Sequence, residues 1–385
     1  MTGAATVSTL KPLDLLAGRG IDLVRGEGCT LFDAEGRSYT DLVSNYGVNI
    51  LGHAHPAVTA AITAQAATLT NAHQSFGSPV RDEFVAALGA LVPAELARMC
   101  FVNSGAEALE VAIKLSRVAT GRTGLVAMNR GYHGRTAGAL SLTAEHAYRD
   151  PFLPLLHDVV HVPYDDVEAL SVVDASVAAV VVEPIQGEAG VRVPTDGYLR
   201  ALRDRCSEVG ALLVADEVQT GFRTGAVLAT VDGRVVPDIL CLGKGIANGL
   251  PMAVTLCTET VGAAMPRGGH GSTFAGSPLV CAAGTATMRE LARDDLHAHV
   301  RRMGELAMRR LGELPASVVR EVRGRGLMIG VELRRPATPA IVELQRRGVL
   351  VLPAGRTVIR LLPPLVIDET ALSGALDVVS EVLAA

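Results

Sequence analysis

Asp238-Ile-Leu-Cys-Leu-Gly-Lys244-Gly-Ile-Ala-Asn-Gly-Leu-Pro251 is the stretch on which the reading of this chain turns. The apolar run Ile239 to Leu242 looks like a buried strand, and the glycines either side of Lys244 put that lysine where a parallel strand delivers chain to a cleft. Lysine is otherwise scarce: Lys11, Lys114 and Lys244 stand against 32 arginines in 385 residues. An amine can lose its proton and add to a carbonyl as a Schiff base, whereas a guanidinium stays charged. The plain alternative, a solvated loop lysine, sits poorly with the apolar run before it.

Outward from this stretch, strand-like and helix-like segments alternate. Arg98 to Val102 reads as a strand and Ala106 to Thr120 as a helix. Gly124 to Met128, Val177 to Val182, Ala211 to Ala215 and Ala253 to Cys257 are further short apolar runs, with helical patterns such as Tyr198 to Val209 between them. The alternation predicts a largely parallel sheet covered by helices on both faces. Beyond Gly276 the texture changes to long helical periodicity, Leu279 to Leu314, then a strand-like Leu327 to Leu333 and two short αβ pieces. The expected division is 1–46 as an N-terminal segment packing on the C-terminal part, 47–276 as a large domain, and 277–385 as a smaller one.

Composition narrows the function classes. With 49% hydrophobic residues the chain is a well-buried globular protein. A net charge of −5 leaves no basic stripe for nucleic acid. Met1 to Leu10 carries neither a basic leader region nor a continuous apolar core, and no apolar run approaches the ~20 residues that span a bilayer. A soluble, cytoplasmic protein is expected. The six cysteines show no Cys-x-x-Cys spacing, which fits buried reduced thiols.

Several constellations carry chemistry. Asp216 ends the run Ala211 to Ala215, and a carboxylate at a buried strand exit is costly unless something cationic meets it. The protonated ring nitrogen of a pyridoxal cofactor is one such partner; a helix-capping or salt-bridged aspartate is the equal alternative. Asn103-Ser-Gly-Ala-Glu-Ala108 follows a strand and opens a helix with Ser104 as its cap, so its free N–H groups suit a phosphate, or simply cap a helix. Gly131-Tyr-His-Gly-Arg135 offers an aromatic to stack on a flat ring and an arginine to hold a carboxylate; His133 is given no chemistry. Arg360 lies among apolar residues and calls for a partner, which Glu188 supplies as a switchable anion site or as a structural salt bridge. His270-Gly-Ser272-Thr273-Phe274-Ala-Gly276 is a hydroxyl-bearing glycine-rich loop. No Walker loop, dinucleotide fingerprint or metal-ligand spacing is present in the sequence.

In register, Gly52-His-Ala-His-Pro56, Asn103 to Ala108, Tyr132-His-Gly-Arg135, Glu183-Pro-Ile-Gln-Gly-Glu188, Ala215-Asp-Glu-Val-Gln-Thr-Gly221, Leu242-Gly-Lys-Gly245 and Gly271-Ser-Thr273 resemble the class III pyridoxal-phosphate aminotransferases, acetylornithine and ornithine subgroup, from about Gly26 to Leu365. The resemblance implies the fold type I architecture: a large domain with a mainly parallel seven-stranded sheet flanked by helices, plus a smaller α+β domain. By it, Lys244 would hold pyridoxal 5'-phosphate as a Schiff base and Asp216 would bind the pyridinium. Val218 and Gln219 would lie at the ring and Tyr132 would stack on it. Ser104, Gly105 and Ala106 would bind the phosphate, and Ser272 and Thr273 would reach the phosphate of a neighbouring subunit, implying a homodimer with shared sites. Arg135 would bind the distal carboxylate of an ω-amino substrate, and Arg360, freed from Glu188, the α-carboxylate of glutamate or 2-oxoglutarate. Two departures concern substrate. Ser8 to Leu13 has no aromatic, which speaks against free ornithine, whereas Tyr46 matches ornithine-type members.

The expected reaction is a ping-pong transfer of a terminal amino group to 2-oxoglutarate, giving a semialdehyde and glutamate. Alternatives are a same-fold aminomutase, racemase or decarboxylase, a specialised ω-aminotransferase acting on a modified or carrier-linked diamino acid, and a non-catalytic binding protein.

Overall fold

A computed structural model describes residues 10 to 384. The reading of Met1 to Leu10, and the Ser8 to Thr9 part of Ser8 to Leu13, fall outside them apart from Leu10 itself. The central sheet has seven strands in the order Arg98–Val102, Ala253–Cys257, Ile239–Leu242, Leu212–Asp216, Val177–Val182, Gly124–Met128, Val159–Val162. Six run parallel, so their C-terminal ends open on one edge. Ala253–Cys257 runs antiparallel to both neighbours, because the connection from Leu242 is too short for a crossover helix.

Burial on both faces explains the continuous apolar runs. Ala179 and Val181 face a core shared with helix Gly105–Thr120, while Val180 and Val182 face Tyr198 and Leu202 of helix Tyr198–Val209. The long periodicity from Leu279 resolves into two helices, Pro278–Leu291 and Asp294–Gly312. Arg293 is extended between them, and Asp294 and Asp295 suit the positive end of the second helix.

Two smaller sheets complete the chain. Leu23–Glu27, Thr30–Asp33 and Ser38–Asp41 form a meander whose last strand pairs in parallel with Val349–Leu350. Val319–Arg325, Met328–Leu333, Val358–Leu361 and Leu352–Ala354 form an antiparallel sheet that carries Arg360. Division of the chain at 46 and 276 is a proposal on which one packing fact bears. Helix Pro278–Leu291 lies against helices Pro56–Ala66 and Pro79–Gly89 and against the turn that carries Lys244.

Candidate active site

Five strand exits converge at the C-terminal edge of the sheet, where open α/β sheets place their ligands. Behind Ile239–Leu242, all four residues of which are buried, Lys244 takes a left-handed backbone, φ 47°. For a side chain other than glycine that conformation is strained. The turn after it holds the strain: Asn248 accepts from Leu51 N at 2.8 Å and donates to Gly52 O at 3.1 Å. Among the described residues the Lys244 amine has no hydrogen-bond or ion-pair partner. Burial lowers its pKa, against the pull of Glu188, which enlarges the fraction present as free amine.

Asp216, at the end of its strand, is buried, with one carboxylate oxygen 2.7 Å from His133 Nδ1 and the other accepting from Val218 N at 3.1 Å. Burial disfavours a charge on His133, but the bond to Asp216 outweighs it and the imidazole pKa rises. His133 is therefore a hydrogen-bonded support behind Asp216, a role the sequence leaves unassigned. Its only signal was a place between glycines after a strand. Glu183 stands in the sequence only as the first residue of the Glu183 to Glu188 motif, without a task. Its two oxygens accept from Tyr132 N at 2.9 Å and Gly187 N at 3.1 Å, tying two of the loops together. Burial pushes this carboxyl up to about 7.

Ser104 caps helix Gly105–Thr120 by accepting from Glu107 N at 3.3 Å, and the N–H groups of Gly105 and Ala106 have no acceptor within the described chain. A Cβ on Gly105 would stand 2.7 Å from Val218 Cγ1, so glycine is needed for the helix start to approach the Asp216 loop. Tyr132 is half-buried and edges onto Tyr148, whose ring lies 4.1 Å from the Arg135 guanidinium.

Arg360 is fully buried and donates to Glu188 at 2.7 Å and to Gln219 Oε1 at 3.0 Å, while its Nε and Nη2 have no partner among the described residues. Burial raises the Glu188 pKa, but Arg360 overrides it and the net shift is downward. A Cβ on Gly187 would fall 1.8 Å from Gln219 Oε1, so only glycine admits this arrangement. Tyr46 holds its ring 5.8 Å from Arg360, on a turn where Ser44, Asn45 and Tyr46 all have positive φ.

Lys244, Asp216, Gly105, Ala106, Tyr132, Arg135, Glu188, Val218 and Gln219 thus meet around an inner cavity of about 260 Å³. Tyr46 lines the cleft outside it. Arg360 reaches it through Glu188 and Gln219. Ser272 accepts from Asn103 at 2.9 Å, and Thr273 is exposed outside the cavity lining. An unpaired amine, a carboxylate backed by an imidazole, and free N–H groups at the end of a long helix fit the aldehyde, ring nitrogen and phosphate of pyridoxal phosphate respectively.

The model of the class III aminotransferase family matches residues 17–383. The acetylornithine aminotransferase of Methanopyrus kandleri is 46% identical over 97% of this chain and 95% of its own. A putative [LysW]-aminoadipate semialdehyde/glutamate semialdehyde transaminase of Pyrococcus furiosus is 42% identical over 97% and 96%. The crystal structure of the ornithine aminotransferase of Toxoplasma gondii superposes with a TM-score of 0.91 at 32% identity, covering 97% of this chain and 92% of that one.

Proposed function

The chain belongs to the class III aminotransferases and uses pyridoxal phosphate, and on that premise we propose that it moves the terminal amino group of an acetylornithine-like diamino acid to 2-oxoglutarate. The observation that carries this reading is the pair of anion holders flanking Lys244. Arg135 stands at the cleft, and Arg360 is masked by Glu188 with two of its nitrogens unpartnered among the described residues. A donor with its amine at one end and its carboxylate at the other places the carboxylate on Arg135 and leaves the Glu188–Arg360 pair closed. An α-amino acid such as glutamate brings its carboxylate close to the reacting carbon, where Arg360 receives it once Glu188 parts. Both substrates therefore use one cavity in turn, as a ping-pong scheme requires.

Bound in the cavity, pyridoxal phosphate supplies the carbonyl that accepts nitrogen and the electron-withdrawing ring. Asp216, supported by His133, holds the ring nitrogen, while Ser104, Gly105 and Ala106 hold the phosphate. Lys244 moves the proton at the substrate carbon, a task suited to an amine of lowered pKa. We also read the molecule as a cytoplasmic homodimer in which Ser272 and Thr273 serve the partner's phosphate. Exposed Phe76 and Phe274 support a covered face, and among the described residues no helix is long and apolar enough to cross a membrane.

The test is a panel of N-acetylornithine, ornithine, diaminobutyrate and simple ω-amines with 2-oxoglutarate, scored for glutamate and semialdehyde. Equal consumption of donor and oxo acid by the wild type and no turnover by Lys244→Ala are expected. Donor consumption without glutamate would replace transamination by a mutase or decarboxylase.

A further inference from the structure

We propose that Asp41, backed by His53, is a positioning residue for the oxo-acid step: its carboxylate holds the left-handed turn that keeps the Tyr46 ring beside Arg360. The proposal rests on the reading above in which Arg360 receives the α-carboxylate, and it adds the residue that sets the shape of that subsite.

Ser44, Asn45, Tyr46 and Gly47 have φ of 38°, 49°, 59° and 91°, a left-handed turn in which the first three residues are not glycine. Side chains strain such a turn, so it persists only where its surroundings hold it. Asp41 supplies the hold. Its carboxylate is fully buried, with Oδ1 accepting from Val43 N and Ser44 N, both at 2.8 Å, and Oδ2 2.7 Å from His53 Nε2. His53 is fixed in turn. It exchanges backbone hydrogen bonds of 2.8 and 2.9 Å with Gly28, and a Cβ on Gly26 would stand 2.6 Å from its Cγ, so glycine at 26 makes room for the ring.

The turn is also tied to the chain that bears Arg360. Ser44 Oγ donates to Leu362 O, and Leu362 N donates to Leu42 O at 2.8 Å, two residues beyond Arg360. Tyr46 and the guanidinium therefore share one frame, with 5.8 Å between the ring and the charge. An aromatic ring at that distance attracts the cation and keeps water from it, which strengthens its hold on a carboxylate. Freed of Asp41, the turn relaxes toward right-handed backbone and carries the ring away. Arg135 belongs to another loop, whose Tyr132 N donates to Glu183 rather than to Asp41, so the loss falls on one carboxylate subsite and not on both.

Two ligands that cannot react separate the subsites when their binding to the holoenzyme is measured by calorimetry. Glutarate stands for the oxo acid; N-acetylnorvaline, a donor analogue without the terminal amine, places its carboxylate on Arg135. Asp41→Ala is expected to weaken glutarate by roughly tenfold and N-acetylnorvaline by less than about twofold. Asp41→Asn, which keeps an oxygen for the two N–H groups, should recover most of the loss. His53→Ala, a milder change should Asp41→Ala fail to fold, is expected to weaken glutarate by about threefold, and to have no further effect once Tyr46 is Leu. Glutarate unbound by the wild type, glutarate binding unmoved by the substitutions, equal weakening of both ligands, or a His53→Ala effect that survives in the Tyr46→Leu background overturns the proposal. Turnover of N-acetylornithine with 2-oxoglutarate tests the underlying reading separately. A selective loss of glutarate without turnover by the wild type sinks that reading and leaves the role of Asp41, and turnover with equal weakening does the reverse.

Discussion

His133 and Glu183 show how much a single buried side chain does at this site. Without the imidazole, Asp216 keeps one backbone donor in a buried setting. A hydrogen bond to a charged group contributes about 1.5–3 kcal/mol, so His133→Asn is expected to lower kcat by roughly tenfold to a hundredfold and to weaken cofactor retention. Steady-state kinetics and cofactor titration check it; wild-type values would remove His133 from its supporting role. For Glu183, the folded-state pKa of about 7 stands above the ordinary 4.5, so between those values the folded protein binds more protons than the unfolded chain. This contribution to stability is complete below the unfolded value and is lost as pH rises through the folded one, on the order of 3 kcal/mol at most. Glu183→Gln is expected to flatten the fall of Tm across that window, and an unchanged slope in the variant would assign the effect elsewhere. An amide presents only one acceptor to two N–H groups, so the variant also starts from a lower Tm.

At the scale of elements, the close approach of the helix start to the Asp216 loop is the feature most exposed to substitution. The Cβ of Gly105→Ala meets Val218, and the overpacking costs about 1–3 kcal/mol wherever the strain is taken up. If the N-terminus of this helix holds the phosphate, cofactor affinity falls at least tenfold in roughly the same variant that melts only slightly earlier. Unchanged affinity in an equilibrium titration would count against the phosphate assignment. Most strand runs were legible because burial on both faces leaves uninterrupted apolar residues, as in Val177–Val182. The direction of Ala253–Cys257 was not legible, since side-chain pattern carries no strand polarity. The break at Arg293 hid inside a continuous periodicity, marked only by two aspartates.

Across the whole molecule, Arg223 joins three distant pieces of chain. Its buried guanidinium donates to Pro363 O at 2.7 Å, Leu327 O at 3.4 Å, Ser44 Oγ at 3.3 Å and Gly47 O at 3.4 Å. Burial pushes its pKa down to about 10, with Asp41 opposing. Because the 44–47 turn also carries Tyr46 to Arg360, Arg223→Met is expected to cost about 3 kcal/mol in chemical denaturation and to raise the KM for 2-oxoglutarate more than it lowers kcat. A stable variant with an unaltered KM would leave the clamp without a role. By itself the sequence determined the alternating elements, the strand ends bearing Lys244, Asp216, Ser104 and Glu188, and the need of a buried Arg360 for an acid. These follow from local periodicity and from the cost of burying charge. The tertiary structure alone decided that His133 backs Asp216 and that Gln219 shares Arg360 with Glu188. Each of those contacts joins side chains from separate elements, and periodicity fixes which face or edge an element presents but not which side chains meet there.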